Sequence, residues 1–278
     1  SATAKCTRES MTYGTEYYIL AQQQGQIDTL SVIDSVPYTE NRNKTDFLWG
    51  IISHSLILDW NHTIYDPTSC KSFVELVGTD LKSRQPYVLG MTMKFDDEKG
   101  EEIQAMDALV TTTGDWLFNA SQTLIYFQRE KPWTIIPEPK RDTRATLKAA
   151  ADAYADIFSN HSVVVPFGTP CCRVEGGAST CANSTMLGAN TCVLGIPDAA
   201  HPQHLRDRAY VIDEEYGTVQ VSMDFAGLPD SHMFRVEGGK IRAVHTMTAC
   251  GALKCHITNE TLRRSIWEGR WGHASLSG

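Results

Sequence analysis

Apolar residues recur at helical spacing in two separate stretches of the chain, residues 7–18 and 143–154. Positions three and four apart lie on the same side of a helix, so each stretch predicts one long helix with a single apolar face. The two stretches also match each other, since "TRESMTYGTEYY" and "TRATLKAAADAY" both begin with Thr-Arg and end with Tyr. The predicted inward positions are Met11, Thr15 and Tyr18 in the first helix and Leu147, Ala151 and Tyr154 in the second.

Apolar and polar residues alternate at the end of each half, which predicts a run of strands there. The alternation covers residues 87–112 and 218–249, and "IQAMD" in the first run lies against "IRAVH" in the second. Because a helix and a run of strands recur in the same order, we infer an internal duplication. Each half is predicted to be an α+β layer, in which a long N-terminal helix packs on a curved antiparallel sheet.

Three prolines in "QREKPWTIIPEPKR" indicate an extended connection between the two halves. We therefore predict a first domain at residues 1–128, a linker at 129–141 and a second domain at 142–250. Residues 251–278 lie outside both repeats and are expected to form a C-terminal extension.

Several strings of the chain resemble those of a known family. "CTRESM", "TSCKSFVE", "VTTTGDWLFNA", "VPFGTPC", "YVIDEEYGTV" and "GLPDSHMFRVEGGKIRAVHTMT" look like a family of secreted fungal proteins of uncharacterised function. The order of elements also resembles the SnoaL-like, or nuclear transport factor two-like, fold. This resemblance implies two tandem cone-shaped domains, each enclosing a pocket. The fold carries isomerases, dehydratases, cyclases, epoxide hydrolases and binding proteins alike.

Charge and hydropathy exclude two classes of partner. The formal net charge is -8 at pH 7, and no basic stripe is present that would neutralise a phosphate backbone. No run of about 18 apolar residues occurs, so no membrane span is expected. We therefore expect neither a nucleic acid nor a membrane as a partner.

The cysteines and the glycosylation sequons indicate a secreted protein. The chain has 8 cysteines without paired C-x-x-C motifs or a zinc spacing, which favours disulfides. Cys6 and Cys70 are the only cysteines of the first half, so we expect them to pair, and adjacent Cys171 and Cys172 should have different partners. The N-terminal "SATAKC" is typical of a chain after signal cleavage. N-linked glycans are expected at Asn43, Asn61, Asn119, Asn160, Asn183 and Asn259.

Two histidines lie in a predicted hairpin near the end of the second half. The string "EGGK" (237–240) places Gly-Gly in a two-residue turn, a type that needs positive φ. Counting back from this turn puts His232 directly opposite His245. Alternation along the strands then places both rings on the concave face, together with Phe234 and Met247.

Such a pair is suited to proton transfer. Two adjacent imidazoles do not both carry a charge at low cost, so one neutral and one protonated ring would supply a base and an acid. Asp230 either orients His232 or caps the strand. Two alternatives stay open: a histidine pair sealed in the core, and a metal site, for which the spacing shows no third ligand.

Tyr210 and Asp107 are further candidates, each with a structural alternative. Tyr210 would direct its hydroxyl into the second pocket as an oxyanion donor, unless it is an ordinary core residue. Asp107 takes the place of His245 in the first half and is either a base on the inner face or a surface carboxylate. The predicted substrate-binding residues are Phe234, Met247 and Asp107.

Tryptophans and one further histidine are concentrated toward the first half. The tryptophans either stack on a sugar or phenolic ring or pack at the domain junction. His62 lies within a sequon in a predicted loop, which favours a solvated side chain. The tryptophans in question are Trp49, Trp60, Trp116 and Trp133.

These observations predict a secreted enzyme that uses histidine acid/base chemistry, without a cofactor or a metal, on a small oxygenated substrate. A sugar derivative, an oligosaccharide or a phenolic compound would suit it, and the reaction would be that of a lyase, dehydratase or isomerase. The alternatives are a secreted ligand-binding protein without catalysis, and a hydrolase that uses the same pocket. Because two similar domains are fused in one chain, we expect a monomer whose halves form a pseudo-dimer.

Overall fold

The computed structural model of the protein describes residues 6–80, 85–182, 188–196, 202–251 and 254–255. In these residues the chain forms two six-stranded sheets, one from each half, and three α-helices. The helices are α1 (Arg8–Gln24), α2 (Ala120–Arg129) and α3 (Arg144–Asp156). The first sheet contains β1 (Tyr38–Glu40), β2 (Asn43–Lys44), β3 (Trp60–Asp66), β4 (Lys71–Gly78), β5 (Tyr87–Phe95) and β6 (Ile103–Thr112). The second contains β7 (Phe167–Glu175), β8 (Ala178–Ser179), β9 (Arg206–Asp213), β10 (Thr218–Phe225), β11 (Leu228–Glu237) and β12 (Lys240–Thr248).

The two sheets have the same strand order. It is β2-β1-β6-β5-β4-β3 in the first sheet and β8-β7-β12-β11-β10-β9 in the second. The four long strands that end each half are antiparallel, from β3 to β6 and from β9 to β12. An earlier strand of each half then pairs in parallel with the last one, β1 with β6 and β7 with β12. The correspondence between the two halves in sequence is therefore also a correspondence in topology.

The predicted fold class is wrong. The sequence led us to expect two tandem cone-shaped SnoaL-like domains, each a long helix on a curved antiparallel sheet. Both sheets are instead mixed, and strand outweighs helix, 37% against 21%, so the chain forms two sheet domains. The error lies in the stretches that follow α1 and α3, where the apolar pattern is broken. Gly168 and Pro170 interrupt β7, and residues of these two types rarely occur inside strands.

α1 and α3 begin in the same way. The hydroxyl oxygens of Thr7 and Thr143 accept hydrogen bonds from the backbone amides of Ser10 and Thr146. Each cap satisfies an amide that has no partner within the helix. The predicted inward positions are buried in both helices: Met11, Thr15, Tyr18, Leu147, Ala151 and Tyr154.

In each sheet an inner strand is covered by protein on both faces. Every residue of β4 from Ser72 to Gly78 is buried, and so is every residue of β11 from Asp230 to Val236. Continuous burial means that both faces are packed, since a strand with one wet face alternates between buried and exposed residues. One core lies under α1, a second under α3, and a third between the two sheets beside α2. We call the contact region between the two sheets the junction.

The segment between α2 and α3 runs along the second half. It contains a short 3-10 turn at Glu138–Lys140, and the backbone amide of Ile136 donates to the carbonyl oxygen of Glu215 at 2.7 Å. The domain boundaries at residues 128, 141 and 250 stay predictions. Most of the predicted C-terminal extension, 251–278, lies outside the described residues.

Four disulfides link the eight cysteines. The predicted bond between Cys6 and Cys70 is confirmed, and so are the different partners of Cys171 and Cys172. In the part of the chain that the structure describes, no helix is both long enough and apolar enough to cross a membrane. The four bonds are Cys6–Cys70, Cys171–Cys192, Cys172–Cys181 and Cys250–Cys255.

Candidate functional site

The turn between β11 and β12 has the predicted form. Glu237 pairs with Lys240, and the two glycines between them, Gly238 and Gly239, have φ angles of 60° and 69°. Glycine adopts such angles without steric cost, so this dipeptide determines where the chain reverses. Taken alone, the turn would place His232 opposite His245.

A bulge beyond the turn separates the two histidines. The register shifts by one residue at Arg242, which has no partner on β11. His232 consequently lies opposite Thr246, and His245 lies opposite Met233. A shift of one residue moves the side chains that follow it to the other face of the sheet. The predicted acid/base pair is therefore wrong, because the two rings lie on opposite faces.

His232 faces the core under α3, where it belongs to a group of polar side chains that we call the His232 cluster. Its Nδ1 is 2.5 Å from Asp230 Oδ1, and the Thr248 hydroxyl donates to Asp230 Oδ2 at 2.5 Å. All three side chains are buried. Asp230 and His232 share a face because they are two apart on one strand, so the carboxylate orients the ring. The other members of the cluster are Tyr154, Arg173 and Glu175.

Arg173 closes one side of the His232 cluster. It donates to the Tyr154 hydroxyl at 3.2 Å and to the carbonyl oxygens of Cys192 and Leu194 at 3.0 and 2.6 Å. Burial raises the pKa of Tyr154 above its ordinary value, so its hydroxyl stays protonated. The cavity among these residues measures about 20 Å³. That volume admits one water molecule but not a substrate.

Tyr210 does not join the His232 cluster. Its hydroxyl donates to Asp152 Oδ1 at 2.5 Å, and the ammonium group of Lys148 lies 4.3 Å from the centre of its ring. Both partners belong to α3, so the predicted oxyanion role is not supported. Phe234 does pack beside His232, with ring centres 5.9 Å apart, and is fully buried.

Met247 and Asp107, the other predicted substrate-binding residues, lie elsewhere. Met247 is buried at the junction, on the same face of β12 as His245. Asp107 is exposed, and its Oδ1 accepts a hydrogen bond from the Thr39 hydroxyl. The three predicted substrate-binding residues therefore lie apart, Phe234 in a core, Met247 at the junction and Asp107 on the surface, and their role stays a prediction.

A larger opening than the cavity at the His232 cluster lies at the junction, beside His245. It is a pocket of about 310 Å³, within the range typical of small-molecule sites. Its walls come from β3, from the end of α2, from the segment after α2 and from β12. We call it the junction pocket, and it is lined by Trp60, Asn61, His62, Phe127, Gln128, Glu130, Lys131, Pro132, Trp133 and His245.

His245 is held between two carboxylates from outside the second half, Glu75 of β4 and Glu130 directly after α2. Its Nδ1 is 2.8 Å from Glu75 Oε2, and its Nε2 is 2.8 Å from Glu130 Oε2. Burial of the ring opposes protonation, but the charges of Glu130 and Glu75 and their hydrogen bonds outweigh it and raise the pKa of His245 to about 10. Both nitrogens then donate, as the two bonds to carboxylates require.

Aromatic rings enclose the imidazolium of His245. The Phe127 ring stacks on it at 4.0 Å, and the centre of the Trp133 ring is 4.8 Å away. The negative faces of these rings favour a cation. Among the described residues, no group of three or more His, Cys, Asp or Glu side chains is arranged to hold a metal ion.

His62 differs from the sequence-based expectation in both position and environment. It lies in β3 rather than in a loop, and burial together with the charges of His245 and Arg235 lowers the pKa of His62 to about 3. Its ring lies between those of Trp60 and Trp133, with ring centres 6.0 and 5.2 Å away. Its Nε2 is buried and makes no hydrogen bond. The junction pocket therefore contains a neutral imidazole with an unused nitrogen.

The residues in and around the junction pocket could be predicted from the sequence to different degrees. Trp60 and Trp133 are indicated as junction residues by one of the two alternatives for the tryptophans. Glu75 carries a weak signal, because it is a lone carboxylate inside the apolar strand "SFVELV" and a buried charge needs a partner. Glu130 carries none, since it lies in a charged segment that is typical of a solvated linker.

Of the predicted glycan acceptors, Asn43, Asn61, Asn119 and Asn160 are exposed. Asn183 and Asn259 lie outside the described residues.

Comparison with known protein families gives a match within the second half of the chain. A family model described as a domain of unknown function (DUF8021) matches residues 140–248. No curated protein matches the chain. The matched stretch contains the whole His232 cluster and His245, but it excludes Glu75 and Glu130. Its description assigns no activity, so the function has to be argued from the two sites.

Proposed function

We propose that the protein binds a small ring-shaped molecule with hydroxyl groups, a sugar derivative or a phenolic compound, in the junction pocket. The observation that carries this proposal is the buried Nε2 of His62, which has no partner in a pocket also lined by Trp60 and Trp133. A buried polar atom left unpaired costs about 1–3 kcal/mol, and a ligand hydroxyl that reached Nε2 through a rotation of the His62 ring would recover that cost. The two indoles offer apolar faces on which a ring can pack.

The charges inside the pocket favour a neutral ligand. His62 is uncharged near neutral pH, because its pKa is about 3. The single positive charge on His245 faces two carboxylates, Glu75 and Glu130, so it leaves no net positive charge for an anionic ligand. A neutral imidazole offers one donor and one acceptor, and the carboxylate of Glu130 accepts. Hydroxyl groups suit these partners better than a carboxylate does.

The state of His245 favours binding over proton transfer in this pocket. Both of its nitrogens are bonded to carboxylates, and its pKa of about 10 keeps the ring protonated at neutral pH. A general base must be unprotonated and within reach of the proton that it removes. His245 meets neither condition, so the pocket is better suited to recognition.

We also propose that this binding takes place outside the cell. Four disulfides join all eight cysteines. Such bonds are typical of secreted proteins and rare in the cytosol, where thiols are kept reduced.

Calorimetric titration with three sets of small molecules tests the binding proposal: methyl glycosides, the matching methyl uronosides and simple phenols. We expect a neutral hydroxylated compound to bind and its uronic acid counterpart to bind more weakly. His62→Phe keeps the size of the side chain but removes the unpaired nitrogen, and it should weaken binding about tenfold, which corresponds to about 1.4 kcal/mol. Trp133→Ala should weaken binding further through loss of the packed face.

Trp49→Ala is the matched control. Trp49 is 79% exposed and does not line the pocket, so its removal should leave the affinity unchanged. If none of the three sets binds, or if His62→Phe binds as tightly as the unaltered protein, the proposal is wrong.

A second candidate function is acid/base catalysis in the His232 cluster. The observation in its favour is the 2.5 Å contact between His232 Nδ1 and Asp230 Oδ1. This contact fixes the ring so that the other nitrogen is available for proton transfer, as a lyase, dehydratase or isomerase requires. A hydrolase would use the same ring to activate a water. Because the cavity measures about 20 Å³, either reaction requires the cluster to open before a substrate enters.

The same sets of compounds, followed by NMR for elimination, isomerisation or hydrolysis, test this second candidate. We expect His232→Gln and Asp230→Asn to abolish any turnover. Tyr210→Phe should retain it, since that hydroxyl bonds to Asp152 and not to the cluster. Turnover that survives His232→Gln would exclude the cluster as its source.

A further inference from the structure

One glycosylation sequon coincides with the wall of the junction pocket. Asn61-His62-Thr63 begins at the second residue of β3, which is the edge strand of the first sheet. Asn61 is itself part of the pocket wall, and its neighbours Trp60 and His62 are two of the ring-bearing residues inside. Asn61 lies opposite Leu76 and His62 lies opposite Glu75, so the Asn61 side chain is on the other face of β3 from the rings inside the pocket. Because β3 is an edge strand, a group attached to Asn61 starts at the rim of the opening rather than inside the pocket.

The Asn61 side chain is free to carry such a group. It is exposed, and it makes no hydrogen bond within the described residues. The other acceptors that the structure describes are each engaged. Asn43 Nδ2 donates to a backbone carbonyl oxygen, and Asn119 Oδ1 and Asn160 Oδ1 accept from backbone amides. An N-linked glycan is attached at Nδ2, and Asn61 makes no hydrogen bond through that atom within the described residues.

The redox state of the cysteines is consistent with the compartment in which N-glycans are added. All eight cysteines are paired in disulfides. Disulfides form in the oxidising secretory pathway, and an Asn-x-Thr sequon on an exposed segment is an acceptor there.

We infer that Asn61 carries an N-linked glycan and that this glycan stands at the opening of the junction pocket, where it limits the size of the molecules that enter. The residues around the opening, Gln128, Lys131 and Pro132, are exposed, so a sugar can lie against them without displacing a core residue. The limit on ligand size rests on the proposed binding function. The glycan and its effect on access do not.

The test compares the protein secreted from a eukaryotic host with Asn61→Gln and Thr63→Ala, which both abolish the sequon. Thr63→Ser, which keeps the sequon, is the matched control. Peptide mass spectrometry should find a glycan at Asn61 in the unaltered protein and in Thr63→Ser, and its loss in the other two. Enzymatic removal of N-glycans from the folded, unaltered protein provides the same comparison without a substitution.

Access is then measured by tryptophan labelling with 2-hydroxy-5-nitrobenzyl bromide, a reagent that needs no ligand. The labelling rates of Trp60 and Trp133 should rise when the glycan is absent. Trp49, which is exposed and outside the pocket, serves as the internal reference and should not change. An unmodified Asn61 in the secreted protein overturns the inference, and so do equal rates with and without the glycan. Neither outcome depends on whether a ligand is found, so failure of the binding proposal is detected separately.

Discussion

The charge on His245 is stabilised by carboxylates from outside the second half, one from the first half and one from the linker. Burial alone would keep the ring neutral, but Glu75 and Glu130 bond both nitrogens at 2.8 Å, and Phe127 stacks on its face. Glu75 is 1% exposed, so this carboxylate has no access to water that would replace the imidazolium. The ring therefore contributes to the packing of the two halves against each other.

Replacement of His245 by glutamine should destabilise the protein strongly. The variant leaves Glu75 buried without a cation, and breaking a buried pair costs roughly 3–5 kcal/mol. Chemical denaturation would measure the loss. Addition of Glu75→Gln to His245→Gln should recover part of it, because the uncompensated charge is then removed. If His245→Gln is as stable as the unaltered protein, the ion pair between His245 and Glu75 contributes nothing to stability.

The same ion pair predicts a loss of stability at alkaline pH. The pKa of His245 is raised from 6.5 to about 10 in the folded protein. A group whose pKa is raised by folding contributes stability that is fully present below its unfolded pKa, and that is lost as the pH rises through its folded pKa. The free energy of unfolding should therefore fall between pH 6.5 and about 10. In His245→Gln this decrease should be absent or much smaller, and equal slopes in the two proteins would contradict the assignment.

At the scale of the element, a one-residue bulge determines which residues form a site. Within one strand the sequence is sufficient, since Asp230, His232 and Phe234 share a face, as alternation predicts. Between strands it is not, because the turn places His232 opposite His245 whereas the bulge at Arg242 shifts the pairing. A bulge residue has no distinctive composition. Counting residues from the turn therefore could not predict which residues of β11 and β12 lie opposite each other.

The first half contains the same bulge, at Gln104, which aligns with Arg242 in the repeat. Comparison of "IQA" with "IRA" shows no feature that marks the extra residue, apart from its recurrence. The contacts made by Glu75 and Glu130 were even harder to predict from the sequence, because they depend on how one half packs on the other. The sequence could identify Trp60 and Trp133 as junction residues but could not show that they enclose a pocket with His62.

Deletion of Arg242 tests whether this residue is the extra one in β12. Without it, Ile241 is followed directly by Ala243, and the two-residue turn alone gives the observed pairing of Arg235 with Ala243 and of Met233 with His245. We therefore expect the deletion to keep most of the folding stability, measured by chemical denaturation, and a loss of most of it would contradict the assignment of the bulge. Arg242→Ala is the control, because it keeps the bulge and removes mainly one hydrogen bond to the Thr169 carbonyl oxygen. It should cost about 1 kcal/mol.

At the scale of the whole molecule, the two halves are joined by reciprocal ion pairs. Arg8, at the start of α1, binds Asp213 of the second half, and Arg144, at the start of α3, binds Asp66 of the first half. Asp66 Oδ2 also accepts from the backbone amide of Ile212, and Asp213 Oδ2 accepts from that of Tyr65. Each half thus gives the other an arginine for a buried aspartate and a backbone amide for the same aspartate, as two identical subunits do across a two-fold axis.

This reciprocity bears on the expectation of a monomer. A duplicated chain that buries its sheets against each other has already satisfied the faces that a homodimer would use. The alignment of Arg8 with Arg144 was visible in the sequence, whereas their partners were not, since these lie in the opposite half. We expect sedimentation to give the mass of one chain, and a dimeric mass would contradict this account of the junction.

Asp66→Asn should reveal how much the reciprocal pairs contribute. Asp66 is fully buried and accepts two bonds of 2.7 Å from Arg144, and although burial opposes ionisation, these bonds and those from Ser69 and Ile212 lower its pKa. A group with a depressed folded pKa contributes stability above its unfolded pKa, and this contribution is lost as the pH falls through the folded value. At neutral pH the variant should therefore lose about 3 kcal/mol, since a buried partner is removed from a cation that is partly exposed.

The control for Asp66→Asn is Lys148→Ala, which removes a surface pair with Asp152 and should cost less than about 1 kcal/mol. The difference between Asp66→Asn and the unaltered protein should shrink as the pH is lowered below about 4, because protonation of Asp66 then removes the same charge in both. If the two single variants cost the same, the junction depends on apolar packing between the sheets and not on its ion pairs. In that case the ion pairs of Arg8 and Arg144 would determine the relative orientation of the two halves rather than the stability of the junction.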